Sequence, residues 1–107
     1  MAKAPFRGTY FGTIAHVEPM KESQSGQSMK YFDLVDSAGY WIPFCAVAQH
    51  ATSKALRVGN QVVVYFASGR SQIGEAKACV YLFKDAVIIM HRRAPTIPSK
   101  RIEIEIQ

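Results

Sequence analysis

The sequence predicts a mostly β domain, namely a small five-stranded Greek-key barrel with one short helix between the third and fourth strands. Three observations predict it. Most segments are rich in aromatic and β-branched residues, which favour strands. Short polar stretches that contain glycine separate these segments, as turns do. One stretch in the middle of the chain has instead the apolar period of about four residues that is typical of a helix.

The chain has 107 residues, of which 49% are hydrophobic and 20% are charged. This size and balance fit one globular domain over residues 1–107 and exclude a wholly disordered chain. No apolar run reaches the ~20 residues of a membrane helix, and the first residues lack the apolar stretch of a secretory signal. We therefore expect a cytoplasmic protein without membrane contact. Cys45 and Cys79 lie among apolar neighbours, which predicts buried reduced thiols rather than a disulfide.

The first strand is predicted over residues 6–17, which are rich in aromatic and β-branched types. Gly8 and Gly12 share one face of this strand. Glycine inside a strand marks a bulge, a bend or the close approach of another backbone, and a small barrel requires such curvature. Residues 18–28 are polar and predict a loop.

A hairpin follows, with its strands at residues 29–36 and 40–47. Asp36 can accept hydrogen bonds from the backbone of the turn, and Gly39 tolerates a positive φ. At residues 47–56 apolar residues recur every four positions, which predicts the short helix.

The fourth strand is predicted at residues 61–67, and a polar turn follows at 68–76. Residues 77–90 hold one long strand, or two short strands that are broken near Lys84. In the tail, residues 91–107, two prolines precede a strictly alternating apolar pattern that is compatible with an added edge strand.

The resulting order, β-β-β-α-β-β, suits the oligonucleotide/oligosaccharide-binding (OB) fold, which is a five-stranded Greek-key barrel. A ferredoxin-like α+β sandwich needs a helix after its first strand, and the polar loop does not supply one. The predicted fold class is therefore all-β.

Two motifs resemble known barrels of this type. Residues 32–39, Phe-Asp-Leu-Val-Asp-Ser-Ala-Gly, are similar to the FxLxDxxG hairpin of replication protein A-like domains. Residues 55–64, Ala-Leu-Arg-Val-Gly-Asn-Gln-Val-Val-Val, resemble the bacterial single-stranded DNA-binding protein family, where a helix ends in Leu-Arg before a glycine and Gln-Val opens the fourth strand. The polar loop with Gly26 also suits this family. The resemblance implies a barrel that binds single-stranded DNA in replication or recombination and forms homodimers or homotetramers.

The tail departs from that family. Typical bacterial members end in a long linker with acidic residues and a Pro-Phe tip that recruits replication proteins, whereas this sequence ends in Ile-Glu-Ile-Gln. In this respect the chain is more similar to phage- or plasmid-encoded binders and to primosomal replication protein N. Replication proteins are the further partners that the resemblance implies.

Binding of a single strand requires aromatic rings and cations on one surface. Rings stack on bases whatever the sequence, and Lys and Arg neutralise phosphates. The hairpin and the last strands supply both residue types. The candidate nucleic-acid-binding residues are Lys30, Tyr31, Tyr40, Trp41, Phe44, Arg57, Arg70, Lys77 and Tyr81.

Strand alternation predicts which of these side chains are exposed. Tyr31 shares a face with Asp33, which predicts that Tyr31 is exposed. Tyr40 and Trp41 are adjacent, so alternation places one of them inward and does not decide which. Arg70 is expected in the turn that borders the binding groove of the OB fold. The weaker candidates, which packing or solvation explains as readily, are Tyr65, Phe83, Arg92 and Arg93.

The charge balance favours an anionic partner. The chain carries 13 Lys and Arg against 8 Asp and Glu, a net charge of +5. Nine of the cations and only two of the carboxylates lie in residues 54–101, which suggests one basic face. His16, His50 and His91 are scattered, and neither metal-ligand spacing nor a phosphate-cradling glycine loop occurs. We therefore expect no enzymatic activity, no cofactor and no metal.

Other functions fit the same fold. The small size and the alternating tail are compatible with a protein-interaction subunit or a primosome-type adaptor, in which the tail pairs with another sheet edge. Single-stranded RNA is a further candidate ligand, because stacking does not distinguish the sugar.

Overall fold

The computed structural model describes the backbone of residues 6–72 and 79–94, and the side chains of residues 8–66 and 79–94. Most of these residues lie in strands. The elements are β1 (Phe6–Val17), β2 (Lys21–Glu22), β3 (Ser28–Val35), β4 (Trp41–Val47), a 3-10 helix (Ala48–Thr52), β5 (Gln61–Gln72), β6 (Cys79–Leu82) and β7 (Val87–Arg92). Among these elements, no helix is long and apolar enough to cross a membrane.

The strands form a single sheet that curls back on itself. β1 pairs antiparallel with β3 through its second half and with β5 through its first half. β3 pairs antiparallel with β4, β4 pairs in parallel with β6, and β6 pairs antiparallel with β5. These pairings lead back to β5, the second partner of β1, so the main strands surround an interior. The predicted all-β, barrel-like class is confirmed at this level.

The described residues form seven strands where the sequence predicts five. One addition is β2, which lies in the predicted polar loop and pairs with the start of β3. The other arises because the last predicted strand is broken into β6 and β7, one of the two forms that the sequence allows. Arg70 of β5 pairs with Tyr81 of β6, and Tyr65 of β5 pairs with Val87 of β7. Moving five residues along β5 therefore corresponds to moving six residues from β6 to β7. One extra residue therefore bulges at the break, which includes Lys84.

Two predicted boundaries are wrong. The helix predicted at residues 47–56 is a 3-10 helix of five residues, Ala48–Thr52, because turns replace its second half. β5 continues into the turn predicted at 68–76, since Gly69 still pairs with β1 and Arg70 pairs with β6. The alternating end of the tail, residues 101–107, which predicts an edge strand, lies outside the described residues.

The inner face of the curled sheet forms the core. Its largest fully buried apolar side chains come from alternate positions of the strands, and they are Ile14, Phe32, Leu34, Phe44, Val62, Val64 and Leu82. Residues 53–58 follow the 3-10 helix and close one end of the barrel, where Ala55 and Leu56 join the same core. Burial of this apolar surface is the main driving force for folding.

Gly12 marks the close backbone approach that is predicted for β1. A Cβ atom at Gly12 would lie 2.5 Å from the carbonyl oxygen of Val35 in β3. The register of β1 against β3 also shifts between Ile14 and His16. The glycine therefore lets β1 bend where it passes from β5 to β3.

Candidate nucleic-acid interface

The outer face of β3, β4 and β6 carries most of the predicted aromatic residues. Tyr31 of β3 pairs with Cys45 of β4, which pairs with Tyr81 of β6, so these three residues form one row across the sheet. Trp41 lies further along β4, on the same side as Cys45, and pairs with Val35. Paired residues of adjacent strands point to the same side of a sheet. Tyr31, Trp41 and Tyr81 therefore share one surface, which we call the aromatic face.

The hairpin between β3 and β4 holds two exposed rings. Asp36 Oδ1 accepts hydrogen bonds from the backbone N–H groups of Ala38 and Tyr40, both at 2.9 Å, and Gly39 has a φ of 90°. Tyr40 is 71% exposed and Trp41 is 59% exposed. The expectation that one of them faces inward is wrong, because Tyr40 lies in the turn before β4 begins and strand alternation does not apply to it.

Tyr31 lies on the aromatic face but is covered. It is only 6% exposed, so the prediction that it is exposed on the same face as Asp33 is wrong. β2 folds the loop back along β3 and places the ammonium of Lys21 5.3 Å from the centre of the Tyr31 ring. Cys45 and Val47 belong with Tyr31 to a small buried cluster separate from the main core. In this structure Lys21 therefore occupies one face of the ring.

Phe44 does not lie on the surface. It is 0% exposed, its ring stacks on Phe32 with centroids 5.3 Å apart, and it meets Phe66 edge-on at 6.2 Å. Along β4 it alternates with Cys45 and points into the barrel. The structure corrects its place among the candidate binding residues, because a ring that fills the core offers no surface for stacking.

Tyr81 and Phe83 form an aromatic pair at the end of β6. Their rings stack with centroids 6.0 Å apart and an interplanar angle of 19°. Phe83 is exposed and Tyr81 is half-buried. The sequence ranks Phe83 only among the weaker candidates. Phe83 nevertheless follows Tyr81 by two residues, and this spacing predicts that the two rings lie on the same side of the sheet.

A hydrogen bond on the aromatic face shifts the titration of Tyr81. Its hydroxyl oxygen lies 3.5 Å from that of Tyr31. This hydrogen bond, with a further contribution from burial, raises the pKa of Tyr81 above its ordinary value. A tyrosine is already neutral over the physiological range, and the raised pKa keeps the Tyr81 hydroxyl neutral further into the alkaline range.

Two of the predicted cations lie on different parts of the barrel. Lys30 is half-buried and pairs with the core residue Ala46, so Lys30 lies on the inner face of the sheet. Arg57 is exposed beyond the 3-10 helix, where it lines a pocket with Lys54 and Arg93. The structure therefore does not gather Lys30 and Arg57 beside the aromatic face.

The structure describes only part of the other two predicted cations, Arg70 and Lys77. Arg70 belongs to β5, so the prediction that it lies in a turn is wrong. Its backbone pairs with Tyr81, which places it at the end of the row of Tyr31, Cys45 and Tyr81. Lys77 lies outside the described residues.

Within the described ranges, no group of three or more His, Cys, Asp or Glu side chains is placed to hold a metal ion. Cys45 and Cys79 are both buried and form no disulfide with each other. His16 Nε2 lies 3.6 Å from Glu18 Oε2, and Lys21 Nζ lies 3.9 Å from Glu18 Oε1. The contact between Lys21 and Glu18 is a surface ion pair of small energy.

Comparison with known proteins assigns no family. No protein-family model matches the chain, and no curated protein matches it. The resemblance in residues 32–39 and 55–64 therefore rests on those motifs alone.

Proposed function

We propose that this chain binds single-stranded DNA with little sequence preference and protects exposed strands in replication or recombination. The observation that carries the proposal is the pair of exposed adjacent rings, Tyr40 and Trp41, on a turn that is fixed by Asp36. A ring that is held in place but uncovered is a platform for a base, and such stacking contributes about 1–3 kcal/mol per base. A ring needed only for folding would lie in the core, as Phe44 does.

The proposed architecture is a five-membered OB barrel. The circuit β1–β3–β4–β6–β5 supports it, with β2 as an addition in a loop and β7 as the continuation of β6 beyond the bulge. The second and third members of this circuit are β3 and β4. OB folds bind oligonucleotides on the face of their second and third strands, and the aromatic face lies on these two strands.

The charge supports an anionic ligand. The net charge of the chain is +5. Arg57 and Arg93 are exposed, and neither has a carboxylate partner within the described residues. Cations of this kind bind phosphates and release counterions, which makes the affinity fall as the salt concentration rises.

A fluorescence titration tests the proposal, because Trp41 is the only tryptophan. Oligo-dT longer than about 16 nucleotides, the upper site size for one barrel, should quench its emission by stacking. Higher salt should weaken binding, with a slope of about 0.7 per phosphate contact. Absent quenching, or an affinity that salt does not change, would refute the proposal. Oligo-U in a parallel titration distinguishes RNA from DNA.

A protein-interaction function is favoured by a second surface. The outer face of β1, β5 and β7 exposes Phe11, Tyr65, Val87 and Ile89. Phe11 pairs with Val63, and Val63 pairs with Ile89, so the apolar surface is contiguous across three strands. Contiguous exposed apolar surface marks a site of association. A second copy of the chain covers this surface in the proposed homodimer or homotetramer.

The mass in solution tests the second surface. Ile89→Glu should convert the oligomer into a monomer in sedimentation, because it places a charge in the apolar contact. Met20→Glu is the matched control, since Met20 is also exposed and apolar but lies outside β1, β5 and β7. An unchanged mass for both variants would remove this second function.

A further inference from the structure

A pocket at one end of the barrel brings together three cations. Lys54 and Arg57 lie between the 3-10 helix and β5, and Arg93 follows β7. The pocket has a volume of about 450 Å³, and its other walls are Val58, Asn60, Met90 and Ala94. The three cations are exposed, and none has a carboxylate partner within the described part of the chain. Positive charges around a concave site attract and retain an anion.

Asn60 fixes the geometry of this pocket. Its Nδ2 donates a hydrogen bond to the carbonyl oxygen of Ala55 at 3.0 Å, and its Oδ1 accepts one from the backbone N–H of Ala94 at 2.7 Å. The side chain thus joins the segment that carries two of the cations to the segment that carries the third. The backbone positions of the cations are set before any ligand arrives, which reduces the entropy lost on binding.

The pocket lies within reach of the exposed rings. Trp41 pairs with Val35, Val35 pairs with Thr13, and Thr13 pairs with Gln61, the neighbour of Asn60. Three steps between adjacent strands therefore separate Trp41 from the pocket wall, a distance of about 14 Å along the sheet. One OB barrel binds about 4–16 nucleotides, so a single oligonucleotide is long enough to contact both places.

We propose that this pocket is a phosphodiester-binding subsite for the strand whose bases stack on Tyr40 and Trp41. This proposal rests on the proposed function. None of the residues that line the pocket is aromatic, so it offers no stacking surface for a base. The guanidinium groups of Arg57 and Arg93 suit phosphate oxygens, which they can contact through paired N–H donors. The pocket therefore lengthens the footprint of the strand without adding sequence preference.

The test compares two neighbouring arginines in the full chain. Arg93→Gln removes a charge from the pocket, and Arg92→Gln removes the same charge from the adjacent exposed residue, which does not line it. With oligo-dT longer than about 16 nucleotides, Arg93→Gln should weaken binding about fivefold at 0.1 M salt and lower the salt slope by about 0.7. Arg57→Gln should behave like Arg93→Gln. An oligo-dT that is too short to span from Trp41 to the pocket should bind all three variants as it binds the unmodified chain.

Several outcomes would overturn the subsite. Equal losses of affinity in Arg92→Gln and Arg93→Gln would mean that the arginines attract the oligonucleotide by their general positive charge and not by contacts in the pocket. Equal losses for short and long oligonucleotides would place the arginines beside the rings. A synthetic peptide of residues 102–107, which is acidic and aliphatic, is the competing occupant. The phosphodiester assignment falls if the variants weaken binding of this peptide and leave the long oligonucleotide unaffected. If the unmodified chain binds no oligonucleotide, the proposed function itself is refuted.

Discussion

The hydroxyl oxygens of Tyr31 and Tyr81 lie 3.5 Å apart, although the strands of these residues are separated by β4. Cys45 lies between them in the row, and its small side chain leaves the two rings room to meet above it. The hydrogen bond, together with burial, raises the pKa of Tyr81 above its ordinary value. It therefore ties β3 to β6 across the middle of the aromatic face.

This hydrogen bond makes the stability depend on pH at the alkaline end. The folded chain holds the Tyr81 proton more tightly than the unfolded chain, whose tyrosines titrate near pH 10. The stabilisation is complete below about pH 10 and is lost as the pH rises from there through the folded pKa. In urea unfolding we expect the midpoint to fall more steeply above about pH 10 for the unmodified chain than for Tyr81→Phe. Parallel curves for Tyr81→Phe and the unmodified chain would contradict the linkage.

The exposed rings of the hairpin should matter for binding and not for folding. Trp41→Ala and Tyr40→Ala should each weaken binding of fluorescently labelled oligo-dT by about 1–3 kcal/mol, because each removes one stacking platform. Both side chains are exposed, so the free energy of unfolding should change by less than about 0.5 kcal/mol. Met20→Ala is the control, since Met20 is also an exposed apolar side chain but lies outside the hairpin and outside β1, β5 and β7. A similar loss of affinity in all three variants would argue against stacking at the hairpin.

The strands were predictable because their residue types and alternation are local. β1 has the predicted bounds. β3 begins and ends one residue earlier than predicted, and β4 begins one residue later than predicted. The sequence predicts less well which set of side chains in a strand points into the core. In β4, Phe44 and its alternate neighbours are as apolar as Trp41 and Cys45, so the pattern contains no information on which set points inward. Closure of the barrel decides which set of side chains points inward.

The candidate site was less predictable because long-range contacts shape it. Asp33 correctly indicates that its face of β3 is the outer one, yet Tyr31 on that face is buried. Residues of β4 and β6 pack with it and Lys21 of β2 lies over its ring, and only the pairing of distant strands brings these residues there. Arg70 lies in a locally polar stretch that predicts a turn, and pairing with β6 holds it in a strand instead. The pocket at Arg57 combines segments that lie thirty or more residues apart in the chain.

The two glycines of β1 should differ in their tolerance of a methyl group. Gly12→Ala would place a Cβ 2.5 Å from the carbonyl oxygen of Val35, which is backbone and moves only if β1 and β3 separate. We expect a loss of about 1–3 kcal/mol in the free energy of unfolding. Gly8→Ala meets only the Phe66 and Tyr10 rings at ordinary contact distances of 3.6 and 3.7 Å, and should change stability by less than about 0.5 kcal/mol. Urea unfolding of both variants measures the difference, and equal stabilities would show that β1 bends for another reason.

Asn60 should be the polar side chain whose removal most affects the closed end of the barrel. It is 2% exposed, and both ends of its amide hydrogen-bond to buried or half-buried backbone, at Ala55 and Ala94. Asn60→Ala leaves that carbonyl and that N–H without their partner, which should lower the free energy of unfolding by about 1–3 kcal/mol. Asn60→Asp retains the acceptor for Ala94 but has no donor for Ala55, so its loss should differ from that of the alanine variant. Hydrogen exchange at the Ala94 amide separates the two effects, since it should quicken in Asn60→Ala and stay protected in Asn60→Asp. Protection of that amide in Asn60→Ala would mean that the end of β7 is held by contacts other than this side chain.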